Sequence, residues 1–319
     1  MRKQLEKILP TDEKQLKWSA VGFTVIIAGL LSLWGIYGIG RYGIALFILT
    51  PLFIGASPVI LYGIKKEITK RDAWQIGLLT LGIFLVGLLV FAIEGVICIM
   101  MAAPFVLLLT WAGTLIGYAI ISKMPGNAST TLLLLIVSIP AMSFTEKDNK
   151  PALASVITTI EINADPQTVW KNVIEFPQLK KPTEFIFKTG IAYPINAKIE
   201  GTGVGAVRYC NFTTGSFVEP ITVWDQPRLL RFDVAEQPEP MKELSFWDID
   251  APHLHDYFVS KKGQFKLTKL ANGNTLLEGT TWYYHNIRPA FYWRLWSNYI
   301  VHKIHERVLV NIKEKSENG

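Results

Sequence analysis

Charge is nearly missing from the first half of this 319-residue chain. Between residues 18 and 144, outside the loop 65–72, only Arg41, Glu94 and Lys123 are charged. A water-soluble globule has no use for so much continuous apolar chain, whereas a bilayer core requires it. Cysteine is scarce too. Cys98 lies in an apolar segment and Cys210 far downstream, so a disulfide framework is excluded, and no Cys/His cluster has structural-zinc spacing. There is no phosphate loop, dinucleotide fingerprint or triad signature, so neither a cofactor nor a metal is expected. Beyond residue 150, nineteen Lys/Arg are balanced by eighteen Asp/Glu. Without a basic stripe there, a nucleic-acid partner is not expected.

What is present divides the chain into a basic amino end (1–17), an apolar region (18–145), a linker (146–151) and a mixed domain (152–316). Roughly 20 apolar helical residues cross a bilayer. Four spans are expected at 18–39, 43–64, 73–94 and 96–121. A fifth run, 130–144, is shorter and either crosses or lies re-entrant; we take the crossing. The basic excess sits in Arg2, Lys3, Lys7, Lys14 and Lys17 and in the loop Lys65–Arg71. Such loops stay on the cytoplasmic side. The amino end is therefore expected in the cytoplasm of a bacterial inner membrane, and the domain after five crossings outside it. Arg41 and Glu94 either pair across the bundle or sit in interfacial turns. The Gly/Pro-rich run 50–58 suits close helix packing.

The mixed domain reads as strand, helix, antiparallel meander and long closing helix. Val156–Asn163 has β-branched strand character, and Asp165-Pro166 opens a helix to Ile174 as N-cap and first helical residue. Strands are expected at 196–200, 206–212, 216–223, 229–234, 257–270 and 275–284. A helix from Pro289 to Lys315 carries Trp293, Trp296, Ile300, Ile304, Val308 and Ile312 at three- and four-residue spacing, one buried stripe.

Two segments carry a resemblance. Glu161-Ile-Asn-Ala-Asp-Pro-Gln-Thr-Val-Trp170 is similar to the opening strand-to-helix signature of the START-like (SRPBCC) superfamily. Val218-Glu-Pro-Ile-Thr-Val-Trp-Asp-Gln-Pro-Arg-Leu-Leu-Arg-Phe-Asp233 is similar to its central strand turn. That superfamily includes polyketide cyclase/dehydrase-type and lipid-transfer proteins, and a subgroup of uncharacterised bacterial membrane proteins resembles the whole chain. The resemblance implies a helix-grip α+β domain behind an all-α membrane bundle, with a tunnel between curved sheet and helix for a hydrophobic small molecule or lipid.

For such a tunnel, Arg208, Phe212, Phe217, Glu219, Trp224, Trp282, Tyr284, Trp293 and Trp296 are the candidate ligand contacts, with Phe246 beside them. The same aromatics would equally fill a solid core. Glu219, polar in an apolar strand, is the one weak catalytic candidate; a cross-strand pair with Arg208 is the alternative. Among the other polar candidates, His302 and His305 stand three apart on the last helix without the pattern of a zinc helix. The irregular segment 238–252 is either a lid or a surface loop. The expected function is a membrane-anchored binding domain. The alternatives are an enzyme of cyclase, dehydratase or hydrolase type, and a ligand sensor or assembly part coupled to the spans.

Overall fold

The computed structural model describes residues 2–146, 151–245, 247 and 249–318, with the side chains of 2–4 left aside. Linker residues 147–150 and Phe246 lie outside the described residues. Contact density divides the chain into two units, one of residues 1–149 with 245–252 and 287–289, the other of 150–244, 253–286 and 290–319.

The first unit is helical. A short α1 (Arg2–Ile8) precedes α2 (Glu13–Leu33), α3 (Thr50–Gly63), α4 (Lys70–Val90), α5 (Val96–Lys123) and α6 (Ala128–Thr145). Polar caps mark where the apolar runs begin. Asp12 accepts from the Gln15 amide at the start of α2, and Thr69 and Asp72 form a reciprocal capping box on α4. With the widened turns flanking them, five helical stretches are long and apolar enough to span a membrane: Glu13–Ile39, Ala45–Gly63, Lys70–Val90, Val96–Lys123 and Pro125–Thr145. The last is longer than the apolar run suggested. A single turn at Pro125–Asn127, then Ala128 and Ser129, and Thr145 at the other end join the run and bring it to 21 residues. At 1.5 Å per residue that is about 31 Å, a bilayer core's thickness.

The helix α3 is the centre of this unit. Its span is 72% buried, against 28–39% for the other four, whose outer faces expose Leu30, Val86, Leu108 and Leu134. Small residues let α5 approach it. A Cβ added at Gly113 would lie 2.4 Å from the Leu52 carbonyl oxygen, and one at Gly55 would lie 2.1 Å from that of Thr110. Close backbone approach of this kind replaces hydrophobic drive where the solvent is itself apolar. Between α2 and α3, the Thr24 and Ser57 hydroxyls meet at 2.8 Å, buried. Arg41 and Glu94 lie in the connections between spans, at 40–44 and 91–95, and Glu94 accepts from the Tyr42 hydroxyl at 2.7 Å.

The second unit is a seven-stranded antiparallel sheet in the order β1-β7-β6-β5-β4-β3-β2. The strands are β1 (Ala154–Ile162), β2 (Pro194–Glu200), β3 (Val207–Phe212), β4 (Gly215–Asp225), β5 (Leu229–Asp233), β6 (Phe258–Lys269) and β7 (Thr275–His285), with α7 (Pro166–Ile174) after β1 and α8 (Ala290–Glu317) closing the chain. Register shifts at Pro194/Asn196, Ile221/Val223 and Ser260/Lys262 mark irregularities of the kind that bend strands. The sheet curls into a half-barrel around α8. Asp165 caps α7 through the Gln167 and Thr168 amides, and the Thr168 hydroxyl holds its carboxyl below the usual range. On α8 the buried line is Trp293, Val301, Val308, Leu309 and Ile312, a stripe rotated slightly from the one the spacing suggests.

The glycine contacts give a contrast that mutation can read. Gly113→Leu is expected to destabilise the helical unit by about 3 kcal/mol or more, because backbone rather than a flexible side chain stands in the way. Gly82→Leu, which meets nothing within 4 Å, is expected to be neutral. Thermal melting followed by size exclusion in mild detergent compares the two; equal melting would contradict the packing described.

Candidate functional site

Strand alternation builds the interior of the second unit. On β3 it turns Arg208, Cys210 and Phe212 to one face. The register sets Arg208 opposite Glu219 and Cys210 opposite Phe217 on β4. Arg208 Nη1 donates to Glu219 Oε2, and its Nε donates to the Ile174 carbonyl at 3.2 Å. Both side chains are almost wholly removed from solvent, at 2% and 8% exposure. Three phenyl rings surround the guanidinium, those of Phe176, Phe232 and Phe265, with centroids 5.5–5.6 Å from its central carbon. This is a cation clamped by one carboxylate and by π-faces.

Both partners are shifted upward, for different reasons. Burial pushes the Glu219 carboxyl up, and Arg208 only partly returns it; burial also costs the guanidinium, but Glu219 together with Cys210 more than compensates. A guanidinium does not deprotonate in proteins, so Glu219 is the member whose charge responds to its surroundings. Burial also pushes the Cys210 thiol up to about 12, which leaves it protonated and unreactive at neutral pH.

Between this pair and α8 the interior is not filled. A cavity of about 120 Å³ remains, walled by Phe212, Phe217, Phe232 and Phe265 from the sheet and by Val301, Ile304 and Val308 from the helix. Two glycines on the sheet make room. Gly263 stands opposite Phe232, where an added Cβ would meet the ring at 2.6 Å, and Gly279 stands opposite Thr158. Polar residues in the wall include Arg208 and Glu219, His305 and Thr281, and Ser260, Lys262, Gln264 and Thr280. Burial, and secondarily His302, pushes His305 down to about 4. Some of its surface remains accessible.

The sequence candidates separate cleanly. Arg208, Phe212, Phe217 and Glu219 meet at the cavity. Trp224 packs edge-on against Trp170 of α7 at 5.7 Å. Trp282 and Tyr284 alternate with the buried Tyr283 and so face the convex side, where Lys262 and Lys261 cover their rings at 4.8 and 5.3 Å. Trp293 is buried and Trp296 half-buried near the start of α8; Trp293 lies about 18 Å along the helix from His305. His253 pairs with Glu243 at 3.4 Å and His255 with Glu239 at 3.9 Å. As a candidate acid or base, Glu219 is held by Arg208. His305 was among the polar candidates of the last helix, whereas Thr281, one of several threonines on β7, carried no sequence signal of its own.

No protein-family model matches this chain, and no curated protein matches it. Solved structures similar to it include a structural-genomics protein from Nitrosospira multiformis, at 15% identity over 51% of this chain and 95% of its own, with a TM-score of 0.33. Another is a truncated norcoclaurine synthase from Thalictrum flavum, at 13% identity over 52% of this chain and 95% of its own, with a TM-score of 0.34. A third is the Aha1 dimer from Colwellia psychrerythraea, at 15% over 51% and 96%, with a TM-score of 0.31.

Two outcomes check this site. Breaking the buried pair by Glu219→Gln is expected to cost about 3–5 kcal/mol, because it strands a buried cation, whereas the double change Arg208→Met, Glu219→Leu is expected to cost far less. Denaturation of the wild type, Arg208→Met, Glu219→Leu and the double variant measures the coupling; additive losses would contradict a tightly coupled pair. His305 gives a pH effect of definite sign. A histidine with a lowered folded-state value stabilises above its unfolded value of about 6.5 and loses that contribution as the pH falls toward 4. The melting temperature is therefore expected to fall through that window, and His305→Gln to flatten the slope.

Proposed function

We propose that this chain is an integral membrane protein whose second unit binds a small, mainly apolar molecule bearing one polar group. The observation that carries this reading is the cavity, apolar over most of its wall, with Arg208–Glu219 and His305–Thr281 among the polar residues that line it. Engineered apolar cavities of about 150 Å³ take up benzene, while drug-sized ligands occupy roughly 300–1,000 Å³. At about 120 Å³, the hollow matches one ring or a short branched chain. A membrane lipid enters only if α8 swings off the sheet, so the ring-sized class is the one supported.

Five apolar helices of sufficient length support the membrane assignment. The basic residues before the first span and in the 65–72 loop support a cytoplasmic amino end, and with five crossings the second unit would lie outside the cytoplasm. Ligands of this kind partition into bilayers, and tethering keeps the binding unit close to that reservoir.

The test uses the full chain in detergent with 4-fluorophenol followed by fluorine NMR. Saturable binding is expected. Ile304→Trp, which enlarges a half-buried wall residue on α8, is expected to weaken it at least about tenfold, since the ring and the indole compete for one volume. Unsaturable uptake, or equal binding by the variant, would overturn the reading.

A further inference from the structure

Four side chains and one carboxylate link the cavity wall to the outer face of α8. The Thr281 hydroxyl lies 2.7 Å from His305 Nε2, and His305 Nδ1 lies 3.0 Å from the Thr158 hydroxyl. That same hydroxyl lies 2.8 Å from His302 Nδ1, and His302 Nε2 lies 3.1 Å from Glu306 Oε1. Thr281 and His305 line the cavity, whereas His302 and Glu306 are 43% and 40% exposed. The chain is therefore continuous from interior to surface, and it lies wholly within the second unit.

A hydroxyl has one hydrogen to give, and a neutral imidazole has one donor and one acceptor nitrogen. With both histidines neutral, these rules permit one arrangement. The Glu306 carboxylate only accepts, so His302 Nε2–H donates to it. The bare His302 Nδ1 then accepts from the Thr158 hydroxyl, which in turn accepts from His305 Nδ1–H. The bare His305 Nε2 accepts from Thr281, whose hydrogen is thereby used, leaving only lone pairs for the cavity. A proton on His302 reverses every link except its own to Glu306. His302 Nδ1–H donates to Thr158, Thr158 donates to His305 Nδ1, and His305 carries its hydrogen on Nε2 and donates it to Thr281. The hydrogen of Thr281 is then free to point into the cavity. Between the two arrangements each hydrogen moves one place along the chain. The net change is a single proton: it enters at Thr281, from hydronium or an acidic ligand, and the hydrogen displaced along the chain arrives at His302 Nδ1, so the chain gains one hydrogen and one positive charge.

We propose that this chain is a proton-linked selector, which makes Thr281 a hydrogen-bond acceptor toward the cavity when His302 is neutral and a donor when His302 is protonated. The inference rests on the cavity-binding reading and names its ligand class. Small alcohols and phenols suit the neutral state; small ketones and aldehydes suit the protonated one. His305 changes only the nitrogen that bears its hydrogen, in keeping with the burial that holds it neutral down to about 4. The charged and titratable groups around the chain are Lys303 and Glu306 on α8, with Glu184 beyond Lys303; Tyr283, bonded to Asn298, and His285 on β7; Lys262 on β6; and Arg208, Cys210 and Glu219 across the cavity. Lys303 and Glu306 pair at 2.6 Å, and Lys303 holds the Glu306 carboxyl below its usual range, so the outer acceptor stays ionised.

The experiment has two readouts on the full chain in detergent, across about pH 5 to 8, where imidazoles titrate. Nitrogen-15 NMR of the histidine-labelled protein, with only five histidines to assign, reads the His305 tautomer directly. Binding of cyclohexanone, an acceptor only, is compared with cyclohexanol, of the same size and able to do both. The expected result is a shift of the His305 hydrogen from Nδ1 to Nε2 as His302 gains its proton. Cyclohexanone binding should tighten about fivefold, the worth of one hydrogen bond, with cyclohexanol nearly unchanged, and His302→Gln should abolish the trend. An unchanging tautomer, or a ketone trend that survives His302→Gln, overturns the selector. If the tautomer shifts but neither ligand binds at any pH, the cavity reading has failed and the selector falls with it, while the hydrogen-bonded chain itself stands.

Discussion

The interior of the second unit is organised around a cation that cannot leave it. Arg208 is sealed between β3, β4 and three phenyl rings, and a guanidinium in that position is tolerable only with Glu219 in contact and Ile174 accepting its remaining reach. Such pairs add little net stability, because desolvation offsets most of the attraction. Their consequence is geometric. The sheet must hold β3 and β4 in one register, and the rings must stay upright around the charge. Neither the pair nor the rings can then fold inward to close the space beneath α8.

That space exists because volume was removed on the sheet side. Gly263 gives way to the Phe232 ring and Gly279 leaves the wall open opposite Thr158, so the helix rests on Leu309 and Val308 without reaching the sheet everywhere. The helical unit uses the same residue type for the contrary purpose. Gly55 and Gly113 let α3 and α5 close until backbone meets backbone. In both units small residues decide where packing is tight and where it is open.

Period and composition made much of this architecture legible. The helix 166–174 has the bounds its cap and proline imply, and all seven strands lie within two residues of their β-branched runs. The α8 helix was readable from its apolar spacing, and the cross-strand pairing of Arg208 with Glu219 from alternation alone. Facing within β7 was harder to read. Aromatic content pointed to Trp282 and Tyr284, but the strand's buried set is Leu277, Gly279 and Tyr283, and a one-residue offset sends every neighbour to the other face. The fifth apolar helix was underestimated because Ser129 read as an end, although the helix continues through it. The His305–Thr158–His302 junction joins residues 144 and 147 positions apart, beyond the reach of any local pattern.

The central claim is a hollow of one ring's size between the ion pair and α8, and a size series tests it most directly. Displacement of bound 4-fluorophenol by phenol and by hydroxypyrene, at matched free concentrations, compares one ring with four. The account requires phenol to displace and hydroxypyrene to leave the bound probe in place. Stronger displacement by hydroxypyrene would mean that the interior opens to a volume several times the one described, and would contradict the account.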